Sequence, residues 1–127
     1  MIVGTGVDLC EVGRLRDSIT RTGDPFLRRV YTAREIAFVE SAAATRFERY
    51  AARFAAKEAG MKAIGTGWQG GVSWHDFEVL NEPNGRPVLH IHGEAARIAA
   101  LRKVVRVHLS LTHTAANAMA FVILEAE

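Results

Sequence analysis

A chain of 127 residues with 49% hydrophobic content carries enough apolar mass for one compact domain with a core, and residues 1–127 read as that single domain. One cysteine, Cys10, excludes an internal disulfide framework, and no apolar run reaches the roughly 20 residues that a membrane-crossing helix needs. The net charge of +2 demands no nucleic-acid partner, while a pI near 9.0 and an arginine-rich first half leave room for a local basic face that meets an anionic partner.

From the N-terminus, Met1 to Leu9 is apolar but too short for a secretory signal and lacks a basic start, so it reads as a strand of a cytoplasmic protein. Alternation puts Val3, Thr5, Val7 and Leu9 on one face and Ile2, Gly4, Gly6 and Asp8 on the other. The second face is almost bare, and two glycines in a strand point to close approach of another element just before Asp8. A helix is expected from about Glu11 to Arg21, broken by Gly23, Asp24 and Pro25.

Thr32 to Glu35 and Thr45 to Glu48 both have capping-box spacing and predict helix starts near Thr32 and Thr45. The second helix is long and ends at about Ile64, where Gly65-Thr66-Gly67 follows. Trp74 to Leu80 and Val88 to His92 read as strands around the Asn84-Gly85 turn, and a short helix from Glu94 to Lys103 comes next. Two alternating segments, Val105 to Thr112 and Ala118 to Leu124, close the chain as a hairpin. The class is α+β, an antiparallel sheet packed on a long helix, without repeat or linker.

The long helix carries the chemical signal. A 3.6-residue period sets Phe47, Tyr50, Ala51, Phe54, Met61 and Gly65 along one stripe, and Glu58 falls inside it. A carboxylate among core-facing residues needs a cation or a strong donor, which an edge lysine or arginine would also supply. Lys62, one turn later, makes an i, i+4 pair of a kind common on solvated faces. Packing Asp8 and its glycines against this helix would bring two carboxylates together in the interior, where a divalent cation relieves their repulsion. Oxygen-only ligation with open positions suits magnesium, and Lys62 would add a compact positive charge for phosphates.

Gly6-Val7-Asp8, followed by Phe54-Ala-Ala-Lys57-Glu58-Ala59-Gly-Met-Lys62-Ala63, resembles the holo-acyl-carrier-protein synthase type of 4′-phosphopantetheinyl transferase. Val107-His-Leu-Ser110-Leu-Thr112-His113-Thr114 is similar to that family's third motif, with Thr112 keeping the hydroxyl of a more usual serine. Gly60 stands where a bulkier residue is more usual. The three motifs span nearly the whole chain in the family's order. The resemblance implies a homotrimer with active sites at subunit interfaces, coenzyme A as donor, Mg²⁺ as cofactor, and acyl carrier protein as acceptor in fatty acid biosynthesis; charge and hydropathy call for no nucleic-acid or membrane partner.

On that resemblance Asp8 and Glu58 would be metal ligands, and Lys62 would assist electrostatically as a third catalytic group. Glu58 is also the candidate base, directly or through a water on the metal, although ligation and base duty compete for its lone pairs. Lys62, Gly65, Ser110, Thr112 and His113 would bind coenzyme A. Structural readings stay open for several: Gly65 as a helix cap, Ser110 and Thr112 as cross-strand partners, His113 as a hairpin cap. Arg14 and Arg21, seven residues apart on the first helix, would meet the acidic carrier; a solvated basic face is the alternative. A binding module with a basic helix leaves Asp8, Glu58 and Lys62 unexplained, and a metal-dependent nucleotide hydrolase would need a means of activating water.

Overall fold

The alternating N-terminal segment forms β1 (Ile2–Glu11), which pairs antiparallel with β5 (Asn117–Ala126), and β5 pairs in turn with β4 (Val104–His113). This three-stranded sheet, in the order β1-β5-β4, lies on the long helix α4 (Arg46–Ile64) in a computed structural model that describes all 127 residues. A second, two-stranded sheet of β2 (Phe77–Asn81) and β3 (Pro87–Ile91) also contacts α4. Helices α1 (Val12–Thr22), α2 (Asp24–Val30) and α3 (Ala33–Glu40) precede α4, and α5 (Gly93–Leu101) links the two sheets. The α+β class and the antiparallel sheet on a long helix are as the sequence implies.

The bare face of β1 is what lets helix and sheet meet. A Cβ added at Gly4 would lie 2.2 Å from the carbonyl oxygen of Ala63, and one at Gly6 would lie 1.9 Å from that of Ala59. No side chain fits there, so glycine is required by backbone contact. From the helix side the match is made by alanines: Ala52, Ala55, Ala56, Ala59 and Ala63 are all buried, as are Ala118 and Ala120 on β5. Gly60 has a similar cause. A Cβ there would come 2.8 Å from the Phe77 ring, so a side chain is excluded where one is more usual, and the lost helix propensity is the lesser cost.

Several expectations need correction. Thr32 does form the reciprocal capping box with Glu35, at 2.9 and 3.2 Å, but the Thr45 side chain makes no cap bond. A 3-10 turn at Ala43–Thr45 leads directly into α4, so the spacing there is coincidence. Gly23 ends α1 with φ 72°, yet the chain resumes as α2 at once, because Pro25 fits the first turn of a helix, where its missing N–H costs nothing. Trp74–Asp76 is a 3-10 turn capped by Ser73 and Asp76, so β2 starts only at Phe77. The stripe assigned to Glu58 also shifts. Tyr50 and Ala51 are fully buried, but Phe54, Glu58 and Met61 lie along the rim of the core and Gly65 is exposed.

Candidate active site

Asp8 is set on the helix-facing side of β1 by alternation, directly beyond Gly6, and its register partner on β5 is the buried Ala120. Because the glycines draw β1 against α4, its carboxylate reaches the last turns of the helix. The Lys62 ammonium donates to Asp8 Oδ1 at 3.0 Å and to the carbonyl oxygen of Val7 at 3.1 Å. Only 19% of the Asp8 side chain is exposed, against 49% of the Lys62 side chain, so the pair opens to solvent from the lysine side.

Glu58, one turn before Lys62, is half-buried. Burial pushes its carboxyl above the ordinary carboxylate value, and the charge of Asp8 adds to the rise, while the charge of Lys62 acts against it. Two carboxylates that feel each other at the rim, with one exposed lysine beside them, form an incompletely neutralised anionic centre. Such a centre can hold a hard cation, and the lysine can meet an anionic ligand arriving from solvent.

Beside this centre a groove of about 490 Å³ runs between the end of β1 and α1. Its floor includes Leu9, Leu15, Phe26 and Phe54, and both Arg14 and Arg21 line it, so the expected shared face of these arginines is realised along this groove. Arg14 makes only a 3.8 Å contact with Glu11, with 84% of its side chain exposed, and is free to meet another charge.

The remaining expected site residues are not gathered within one chain. Ser110 and Thr112 pair with Phe121 and Met119, which in turn pair with Val7 and Leu9, so all six lie on the outer face of the sheet, opposite Asp8. His113 pairs with Ala118 and shares the helix-facing side, but it is exposed on β4, two strand spacings or about 10 Å from β1. Gly65 adopts φ 89°, ψ 11° and caps α4, its N–H donating to the Met61 carbonyl oxygen at 3.0 Å. Arg102 completes that helix end by donating to the carbonyl oxygens of Ala63 and Ile64 at 3.0 and 2.7 Å, a role no local sequence signal announces.

The other unannounced feature is Lys57. It and Glu35 are fully buried and paired at 2.7 Å. Lys57 also donates to the carbonyl oxygens of Phe77 and Trp74, at 2.5 and 3.2 Å, while Glu35 accepts from the backbone N–H of Val79 at 2.8 Å. Burial pulls the Lys57 ammonium below its ordinary value, and Glu35 opposes that shift. The capping box at Thr32 is the only sequence trace of this network, since it fixes where Glu35 begins.

The model of the 4′-phosphopantetheinyl transferase superfamily matches residues 4–121. A holo-[acyl-carrier-protein] synthase of Solibacter usitatus is 64% identical over 125 residues, which is 98% of this chain and 99% of that protein. The synthase of Koribacter versatilis is 58% identical with the same coverage. Among solved structures, holo-[acyl-carrier-protein] synthase from Neisseria meningitidis superposes with a TM-score of 0.88 at 32% identity, covering 98% of this chain and 99% of that one. The synthase from Bacillus anthracis, solved in complex with CoA (3′,5′-ADP), gives 0.82 at 36% identity, covering 100% and 99%.

Proposed function

Because the chain belongs to the 4′-phosphopantetheinyl transferase superfamily, we propose that Asp8, Glu58 and Lys62 are the centre at which it handles the pyrophosphate of coenzyme A. The enzyme moves 4′-phosphopantetheine from coenzyme A to a serine of apo acyl carrier protein, giving holo carrier protein and adenosine 3′,5′-bisphosphate, a step consistent with fatty acid biosynthesis. The observation that carries the residue assignment is the convergence at one rim of Asp8, bonded to Lys62 at 3.0 Å, and of Glu58, whose carboxyl is raised partly by the Asp8 charge.

Glu58 accepts the proton of the carrier serine as its hydroxyl oxygen attacks the β-phosphorus of coenzyme A. The bond from that phosphorus to the bridging oxygen breaks, and the electron pair leaves with adenosine 3′,5′-bisphosphate. A carboxyl held above the ordinary range is a better proton acceptor than an exposed one. Lys62 supports the phosphate charge from its exposed side. Asp8 holds Lys62 in place and lowers the cost of bringing a positive charge to the half-buried Glu58.

The donor set also fits a magnesium ion, since both carboxylates are hard oxygen ligands and share a charge that one lysine offsets incompletely. Asp8 and Glu58 would hold it, and when bound it would neutralise charge on the transferred phosphoryl group. Ser110, Thr112 and His113 are assigned to the nucleotide phosphates, and Gly65 to close backbone approach. In one chain the two hydroxyls sit on the far side of the sheet from Asp8, which supports a site completed by a second copy. Support for a homotrimer comes from that same outer face, where Val7, Leu9, Met119 and Phe121 are 41–61% exposed. A cytoplasmic location accords with the lack of any helix long and apolar enough to cross a membrane. Arg14 and Arg21 are assigned to the acidic surface of the carrier.

Intact-mass measurement of an apo carrier protein after incubation with the chain, coenzyme A and Mg²⁺ tests the reading. The carrier should gain one phosphopantetheine, the gain should slow about a hundredfold or more with Asp8→Asn, and hydrolysis of coenzyme A without gain of mass would point instead to a hydrolase.

A further inference from the structure

Gly4 and Gly6 let β1 lie against α4, but at both crossings strand backbone meets the carbonyl oxygens of Ala63 and Ala59 with no side chain to interlock. A glycine-rich strand specifies its register weakly, and β1 is the edge strand of its sheet, held from the side by β5 alone. Where Asp8 stands along the helix therefore depends on what ties β1 at the two ends of this contact.

Two cations make those ties, one on each side of the glycines. At the far end, Lys62 donates to the carbonyl oxygen of Val7 at 3.1 Å and to Asp8 Oδ1 at 3.0 Å. At the near end stands Arg102. Its Nη1 donates to the carbonyl oxygens of Ala63 and Ile64 at 3.0 and 2.7 Å, and its Nη2 donates to that of Val3. The two helix oxygens belong to the last turn of α4, which leaves them without partners of its own. The Arg102 backbone is fixed in turn, since its N–H closes α5 by donating to the Ile98 carbonyl oxygen at 3.1 Å. One planar guanidinium thus joins α5, the end of α4 and the start of β1, as its rigid fork allows.

Only the Lys62 tie lies at the site. Nearly half of that side chain is exposed, and two of the three ammonium donors are spent on β1, so turning toward a phosphate loosens its hold on the strand. The Arg102 tie is remote from the rim and stays intact.

We propose that Arg102 is a positioning residue for the Asp8 and Lys62 centre: it pins the start of β1 to the end of α4, so that Asp8 keeps its place on the helix while Lys62 turns to an anionic ligand. This rests on the reading of Asp8 as a metal ligand and Lys62 as a phosphate contact. It gives the junction of α5 and β4, far in sequence from every residue of the centre, a part in the reaction.

Arg102→Lys keeps the charge without the fork, and Arg102→Met removes every donor. Both should be compared with Asp8→Asn, with the double variant Arg102→Lys/Asp8→Asn, and with Thr32→Ala, which removes the capping hydroxyl at the start of α3 and serves as a destabilised control. The measurements are kcat, KM for coenzyme A, melting temperature and affinity for Mn²⁺. The Mn²⁺, standing in for Mg²⁺, is followed by its paramagnetic signal without coenzyme A or carrier. Arg102→Lys should lower Mn²⁺ affinity about tenfold, the low end of the range for groups that orient metal ligands, and kcat should fall with it. Arg102→Met should lower both further. Thr32→Ala should melt earlier at unchanged Mn²⁺ affinity.

In the Asp8→Asn background, Arg102→Lys should change Mn²⁺ affinity no further, as expected of two residues acting through one arrangement. Unchanged Mn²⁺ affinity in both Arg102 variants, or failure of Arg102→Lys to fold, would make Arg102 a structural tie and overturn the positioning role. A raised KM for coenzyme A at constant Mn²⁺ affinity would overturn it in favour of direct contact with the ligand, and additive losses in the double variant would overturn it too. Should the parent chain bind no Mn²⁺, or Asp8→Asn keep full affinity, the reading of Asp8 fails first and the role of Arg102 falls with it.

Discussion

Two lysines five residues apart on α4 each pair with a carboxylate, and the two pairs are opposite in kind. Lys57 and Glu35 are wholly buried at 2.7 Å, and their remaining bonding capacity is taken up by the backbone of Trp74, Phe77, Val79 and Thr32. Lys62 and Asp8 meet at 3.0 Å on the rim, with nearly half the lysine side chain exposed and a second carboxylate beside them. The first pair is closed, and nothing that enters the site can reach it. The second keeps protons and lone pairs available, which is what a phosphate and a cation require. Equal chemistry at the two sites thus divides into structure and function by how many valences the fold has already used.

The largest expected effect lies at the closed pair. Lys57→Met leaves the Glu35 carboxylate buried without its partner and two carbonyl oxygens without a donor, and removal of one member of such a pair costs about 3–5 kcal/mol. Urea denaturation should show a large drop in midpoint, with turnover lost only as the folded fraction is lost. A Lys57→Met variant of normal stability and low turnover would break the contrast, since the closed pair would then act in the chemistry.

The open pair should behave in reverse. Asp8→Asn removes charge at nearly constant volume and leaves Lys62, half exposed, to be solvated, so its urea midpoint should stay close to that of the parent chain. Turnover should fall about a hundredfold or more, the scale of losing one organised charge at a reacting phosphoryl group. Raising Mg²⁺ should recover part of the loss if Asp8 holds the ion, because a weakened site fills at higher concentration. Full turnover of Asp8→Asn at limiting Mg²⁺ would place the cation elsewhere.

The members of the open site were legible in the sequence, although Lys62 bonds Asp8 on β1 instead of Glu58 one turn away, and the closed pair was not legible, for reasons that lie in the range of the interactions. Gly4, Gly6 and Asp8 occupy alternate positions of one strand, so their common face, and its need for a backbone neighbour, can be read locally. Glu58 and Lys62 are one turn apart. Lys57, by contrast, finds Glu35 across 22 residues and a helix boundary, and its other partners are the carbonyl oxygens of Trp74 and Phe77, which no spacing from Lys57 marks. Period alone also overstated the burial of Glu58, because the true interior of α4 is an alanine face that hydrophobic strength ranks low. The hydroxyls of Ser110 and Thr112 were legible as a shared face; that this face is opposite Asp8 depends on pairing through β5, which local spacing does not encode.

The smallest effect is expected at Arg14 and Arg21, and it extends the contrast outward, to charges that are open on every side. Both line the groove between the end of β1 and α1, and the 84% exposure of the Arg14 side chain leaves its guanidinium bound to little but a distant Glu11. Arg14→Glu and Arg21→Glu should therefore leave stability and coenzyme A affinity nearly unchanged while raising the KM for the acidic carrier. Exposed ion pairs are weak, so a rise of about two- to fivefold for each reversal is expected at low salt. Screening acts over a Debye length of about 8 Å at physiological ionic strength, so the difference between parent and reversed chains should shrink as salt rises. Coenzyme A, if its phosphates meet Lys62 at the half-buried rim as proposed, should be less sensitive to the same salt. A carrier KM indifferent to both reversals at every salt concentration would mean that the arginines belong to a solvated face and that the carrier approaches the open pair from another side.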